Sequence, residues 1–307
     1  MKKSLIALAV LGLSGAAMAQ SSVTLYGVAD AGIGKIESGN DKIEFLSGSL
    51  MNNGGSRLGV RGVEDLGGGL KVGFNFETGL DLGDGATQGT SSGTFWGRAA
   101  NVWVGGGWGT VKLGRTLNPS FFGTAAWELT GTANYSVVGN TYSFGGSGSR
   151  NSSQISYKTP DMGGFSAELG YILKPDNGGN AKWDVNAIYA NGPIAIGLNA
   201  AKVNGAKTTY GLGGKYSFGN FALAASYSKA NVSAGVRRGF SLGGQANFGA
   251  FALTLDVTRD TKNDAGKKFT NGVVELKYAL SKRTFVYGAF LRLDDTNNYG
   301  LGIRHNF

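Results

Sequence analysis

The chain contains no cysteine, a single histidine and only 4 prolines. Without cysteine there can be no disulfide scaffold, zinc ribbon or thiol nucleophile. With His305 alone, every site that needs two imidazoles is excluded. Charge is scarce: Asp, Glu, Lys and Arg make up 16% of residues, well below the roughly 25% of soluble globular chains. Long apolar runs are missing as well. Past residue 20 no window approaches the roughly 18 apolar residues of a membrane-spanning helix. The chain is nonetheless too rich in apolar material to be disordered, with 17 Phe, 12 Tyr and 5 Trp. Glycine is what abounds, 54 of 307 residues, and it has no Gly-X-Y period, so collagen is out.

Residues 1–19 read as a secretory signal peptide. Lys2 and Lys3 form the positive start, Leu5–Leu11 the apolar core, and Ala17-Met18-Ala19 a small-x-small cleavage site. The apolar core is too short to cross ~30 Å of hydrocarbon as an anchor. Removing the two lysines with the leader lowers the formal charge from +9 to about +7. The remaining Lys and Arg are scattered along the chain rather than gathered in a patch, which argues against nucleic-acid binding.

The mean hydropathy of −0.08 looks soluble, but that measure is blind to barrels, in which only alternate residues meet lipid. Alternation pervades the chain. Leu70, Val72, Phe74 and Phe76 alternate with Lys71, Gly73, Asn75 and Glu77. Phe251, Leu253, Leu255 and Val257 alternate with Ala252, Thr254, Asp256 and Thr258. Val274, Leu276, Tyr278 and Leu280 do so with Glu275, Lys277 and Ala279. Phe285, Tyr287, Ala289, Leu291 and Leu293 form one face, against Thr284, Gly288 and Arg292. Tyr299, Leu301, Ile303 and Phe307 oppose Gly300, Gly302, Arg304 and Asn306. Period alone does not separate a sandwich with an apolar core from a barrel with an apolar outside.

The connections do separate them. Tight turns at 67–69, 105–109, 161–164, 192–193, 219–220, 249–250 and 281–283 alternate with longer loops. Those loops cover 39–56, 83–95, 118–151, 175–181, 204–207, 233–237, 261–267 and 295–297. Seven turns and eight loops make sixteen strands, which at about ten residues each use up residues 20–307. The expected fold is therefore all-β, a transmembrane 16-stranded antiparallel up-and-down barrel. Aromatic pairs beside the turns, Phe218 with Phe221 and Phe248 with Phe251, would form an interfacial girdle.

The chain resembles the general porins of Gram-negative outer membranes, most closely the β-proteobacterial branch. The resemblance runs through Ser22–Gly27, Ser56–Lys71, Gly97-Arg98, Gly109–Arg115, Ile155–Pro160 and the ending Gly302–Phe307. It implies a homotrimer in the outer membrane, in contact with its lipid and lipopolysaccharide, each subunit holding a water-filled channel for small anionic and neutral solutes. It implies that the third loop, 118–151, folds inward, and that Phe307 is the signal read by the outer-membrane assembly machinery. Loops above ~12–15 residues are usually functional or disordered, and Phe121, Phe122, Trp127, Tyr135, Tyr142 and Phe144 give this one apolar anchors.

The resemblance also places arginines on the wall facing that loop, here Arg57, Arg98, Arg115 and Arg150. Parity turns Arg57 and Arg61 inward, and Lys71 and Lys112 have lumen parity too. Arg115 shares parity with Val111 and Leu113, so it reaches the lumen only through a bend. Between Thr116 and Pro160 the only acid is Glu128, so the expected constriction is positive and the expected preference is for anions. A substrate-specific channel for phosphate or small organic acids, or a mainly structural or adhesive barrel, are the rival readings. An enzyme is not expected, because the lone histidine, His305, sits at the end of the last strand with lipid-face parity, away from any position where a triad could form. No cofactor is expected either, although the Asp264 loop is open to Ca²⁺.

Overall fold

The computed structural model describes residues 22–37, 39, 41–88, 94–145, 149–232 and 235–307. The leader expected at 1–19 lies outside these residues. Eighteen strand segments follow in order. They are β1 Ser22–Lys35, β2 Ile43–Ser47, β3 Arg57–Gly67, β4 Leu70–Leu80, β5 Thr87–Gln88 and β6 Ala99–Gly106. Next come β7 Gly109–Leu117, β8 Arg150–Lys158, β9 Phe165–Ile172, β10 Lys182–Asn191, β11 Ile194–Val203 and β12 Thr209–Phe218. The series ends with β13 Phe221–Val232, β14 Gly235–Phe248, β15 Phe251–Asn263, β16 Thr270–Ala279, β17 Thr284–Leu293 and β18 Thr296–Asn306.

All pairings are antiparallel, and β1 closes onto β18 from Val28↔Asn306 to Lys35↔Tyr299. Eighteen segments give sixteen staves because two staves are interrupted. β2 pairs with the loop end of β1 and β3 with its turn end, so the two share one stave. β5 and β6 both pair with β4 and share another. Closure leaves no sheet edge, so every stave finds hydrogen-bond partners on both sides without water.

Glycine sets the turns. In the two-residue connections 192–193, 219–220 and 249–250 the first position is a Gly with φ of 56°, 57° and 59°. This is the type II′ requirement, whose twist matches that of the flanking strands. Around them Tyr216, Phe218, Phe221, Phe248, Phe251 and Tyr278 are exposed and touch in two runs of rings, centroids 4.6 to 6.2 Å apart. Amphipathic and aromatic rings at one strand level are the girdle expected at a membrane interface.

The polarity is inverted relative to a water-soluble fold. Leu242 is 68% exposed and Leu301 64%, while Asp184, Thr254, Thr258 and Glu275 are completely buried. Those buried polar groups are lumen-facing and are covered by the third loop. Among the described residues no helix is long and apolar enough to cross a membrane.

Three expectations need correction. The stretch 39–56 is not one loop: β2 occupies its middle, and 48–56 tucks into the lumen with Met51, Asn52, Asn53 and Ser56 buried. Asn52 Nδ2 and the Gly54 N–H donate to the Asp30 carboxylate at 3.2 and 2.8 Å, and this anchors the tuck. In β17 the faces are reversed. Tyr287, Ala289 and Leu291 point inward and are buried, while Val286 and Phe290 are exposed outside. Both faces are apolar there because the inner one packs against Met51, Tyr135 and their neighbours. Finally, 233–237 is not all loop, since Arg237 lies in β14 and ion-pairs with Asp260 and Asp294 at 2.9 and 2.6 Å. Asp264 sits in the next loop between Lys262 and Lys207. No group of three His, Asp or Glu side chains able to hold a metal occurs among the described residues.

Candidate functional site

The third loop is pinned to one side of the barrel. The Asn118 side chain caps a helix at Pro119–Ala125 by accepting from the Phe121 N–H at 2.8 Å, with Pro119 in the first turn, where its missing N–H costs nothing. That helix docks on β10 and β11. Ser120 donates from its backbone and its hydroxyl to Asp184 Oδ1, at 2.6 and 2.5 Å, and Asn186 Nδ2 donates to the Pro119 carbonyl at 2.8 Å. Two glycines let it lie flush. A Cβ on Gly197 would stand 1.8 Å from the Gly123 carbonyl oxygen, and one on Gly213 would stand 2.1 Å from the Trp127 ring.

Further on, Gln245 and Lys277 donate to the carbonyls of Leu129 and Thr130, both at 2.9 Å. Tyr135 donates to Glu275 at 2.6 Å and accepts from Asn53 Nδ2 at 2.8 Å, which joins loop, wall and inward tuck. Burial, followed by the neighbouring Glu275 carboxylate, holds the Tyr135 phenol far above its usual range, so it stays a donor. A second helix, Val137–Tyr142, is capped by Ser136 and ends with Tyr142 donating to the Arg259 carbonyl at 3.1 Å.

The loop therefore leaves its free space against the other side of the barrel. A water-accessible cavity of about 930 Å³ remains there. Its charged lining among the described residues is Arg57, Arg98, Lys112, Arg150, Arg304 and Glu77, five cations and one anion. Glu77 lies amid the arginines. It accepts from Arg98 Nε at 2.6 Å and from the Tyr26 hydroxyl at 2.9 Å, with Arg57 Nε 3.7 Å away. Arg150 Nε donates to the Arg98 carbonyl at 3.0 Å, and Arg304 donates to Asn53 Oδ1 at 3.1 Å. Glu77 thus counters Arg98 and, more distantly, Arg57, and Asp30 lies 3.9 Å from Arg304. Arg150 is held by backbone and neutral acceptors. Cations still outnumber carboxylates, so net positive charge faces the passage.

Of the residues singled out from sequence, Arg57, Arg98, Lys112 and Arg150 meet at this passage. Arg115 does not. It pairs with Ala100 on the face that exposes Val102 and Leu113, and it donates to the Gly97 carbonyl and Ser152 Oγ, both at 2.6 Å. The bend that would bring it inside is present as a register shift between Gly114 and Thr116, but it turns Thr116 inward instead. Glu128 is also misplaced by the sequence argument. Buried within its own loop, it accepts from Thr130 Oγ1, Thr132 N and Ser136 Oγ at 2.7, 2.8 and 2.7 Å. Arg61 stands over the Tyr26 ring, 5.0 Å from its centroid, and Lys71 sits beside the turn at 67–69; neither lines the cavity. Phe307 is half exposed and joins Gly27 through paired backbone hydrogen bonds of 3.0 Å. Sequence reasoning misses Glu77, Tyr26 and Arg304 as members of this site, although Glu77 and Arg304 carry lumen parity.

Comparison with known proteins places this geometry in a family. The Gram-negative porin family matches residues 4–298. Outer membrane porin protein 32 of Delftia acidovorans is 36% identical over 98% of this chain and 92% of its own. An outer membrane porin protein of Bordetella pertussis is 33% identical over 75% of this chain and 69% of its own. A solved structure described as an anion-selective porin from Comamonas acidovorans superposes with a TM-score of 0.77 at 29% identity, over 94% of this chain and all of that one. A sealed barrel, an apolar exterior, an inward-folded third loop and relatives in β-proteobacteria converge: the chain belongs to the Gram-negative porin family and resides in the outer membrane.

Proposed function

We propose that the barrel is a passive diffusion channel for small hydrophilic solutes that prefers anions, and that it performs no catalysis. The observation carrying this reading is the imbalance of five cationic side chains to one carboxylate at the narrowed passage. Fixed positive charge at the narrowest point raises the local concentration of anions and lowers that of cations. Two unit charges 4 Å apart interact by only ~1 kcal/mol in water, so the bias is severalfold rather than absolute. The Comamonas acidovorans porin that this chain resembles is described as anion-selective, which supports the same sign.

Three copies assemble in this reading. A solved relative of the fold from Vibrio cholerae is described as a trimer form. On this barrel an apolar outer groove over β1 and β16–β18 has small residues, Ala31 and Gly288, at its floor, which lets neighbouring backbones approach. Phe307, exposed at the end of the last strand, is the group offered to the assembly machinery. The leader at 1–19 is removed on export.

A planar-bilayer reversal potential under a KCl gradient tests the function. An anion-selective sign is expected, and Arg57→Glu combined with Arg150→Glu moves it toward cations. A cation-selective wild type would overturn the reading.

A further inference from the structure

The loop side of the passage is not wholly polar: beside Thr132, Asn134 and Asn140 it presents aromatic rings. Phe121, Phe122 and Phe144 all line the cavity, and each is only partly buried. Their rings form one cluster, Phe121 lying 5.8 Å from Phe122 and 5.2 Å from Phe144 between centroids. Water-exposed aromatic surface in an aqueous bore is unfavourable by roughly 25 cal/mol per Å². The backbone adds a second cost at the same place. Phe144 has φ of 48° and Ser143 φ of 52°, a left-handed conformation that bulky side chains rarely adopt. Such outliers persist where the surrounding structure enforces them, and they cluster at binding sites. Here the turn sets the Phe144 ring against Phe121 at the edge of the passage.

We propose that this passage is a binding subsite for small aryl carboxylates, the carboxylate held by Arg57, Arg98 and Arg150 and the ring by Phe121, Phe122 and Phe144. The inference rests on the channel reading above and names a solute class for it. One face of the cavity supplies charge-assisted hydrogen-bond donors; the other supplies aromatic contact. A ligand with both features satisfies both faces at once. Acetate or chloride engages only the first, and a neutral aromatic only the second. The cavity of about 930 Å³ holds a single-ring acid with water to spare.

The test is block of chloride current through the reconstituted full-length channel by benzoate, acetate and benzyl alcohol. Half-block by benzoate is expected at about tenfold lower concentration than by acetate, with benzyl alcohol ineffective. Equal half-block by benzoate and acetate, or block by benzyl alcohol matching that by benzoate, would overturn the proposal. Phe121→Leu combined with Phe144→Leu keeps apolar bulk in the loop, and its chloride current reports folding. In that variant the benzoate-to-acetate ratio falls about threefold or more; an unchanged ratio removes the rings from the site. Absence of any chloride current in the wild type would refute the channel reading itself, and the subsite with it. A normal chloride current with no benzoate preference refutes the subsite alone.

Discussion

Glu77 offsets one of the five cationic side chains at the passage and also holds Arg98 in place. Glu77→Gln removes that negative charge, so the reversal potential under a KCl gradient is expected to shift further to the anion side. An unchanged reversal potential would mean that the carboxylate does not face the solute path. Glu128 behaves differently because its three hydrogen bonds lie within the loop. Glu128→Ala leaves those donors unmet and costs about 1–3 kcal/mol, read as a lower thermal transition of the detergent-solubilised protein, without reversing selectivity. At this scale the sequence is legible wherever strand parity applies. Arg57, Lys112 and Arg304 point inward as their alternation requires, and the lipid-face parity of Arg115 already opposes the role carried over to it. Glu128 is illegible because its partners, Thr130 and Ser136, lie in an irregular loop where parity says nothing.

Elements are legible through their punctuation. The glycine turns and the alternating hydrophobic runs are enough to count the staves and put them in order. Two features escape for physical reasons. The short run Ile43–Ser47 alternates as a strand does, but five residues between two glycine-rich stretches carry too little pattern to stand out. β17 is apolar on both faces, so alternation cannot tell which one meets lipid. The third loop's position depends on close approach, which yields another prediction. Gly197→Ala and Gly213→Ala each place a methyl group where the loop lies, at 1.8 and 2.1 Å. Each is expected to cost about 1–3 kcal/mol and to alter single-channel conductance as the loop shifts. Unchanged conductance would show the loop docking elsewhere.

For the whole molecule, selectivity is a field effect and should fade with salt. Screening extends about 8 Å at physiological ionic strength and about 3 Å at 1 M. The permeability ratio is therefore expected to fall toward unity as KCl rises from about 0.1 to 1 M; a salt-independent ratio would point to sieving by size instead. The barrel's ends bear on the same aperture. Arg304 reaches Asn53 across 251 residues of chain, and Tyr287 donates to Asp30 across 257. Contacts so distant in sequence carry the largest loop-closure cost until the intervening polypeptide is ordered. The aperture is accordingly finished only when the first and last staves zip together. A polypeptide halted before that seam forms would have most of its wall and an unfinished filter, so maturation of selectivity would lag behind insertion.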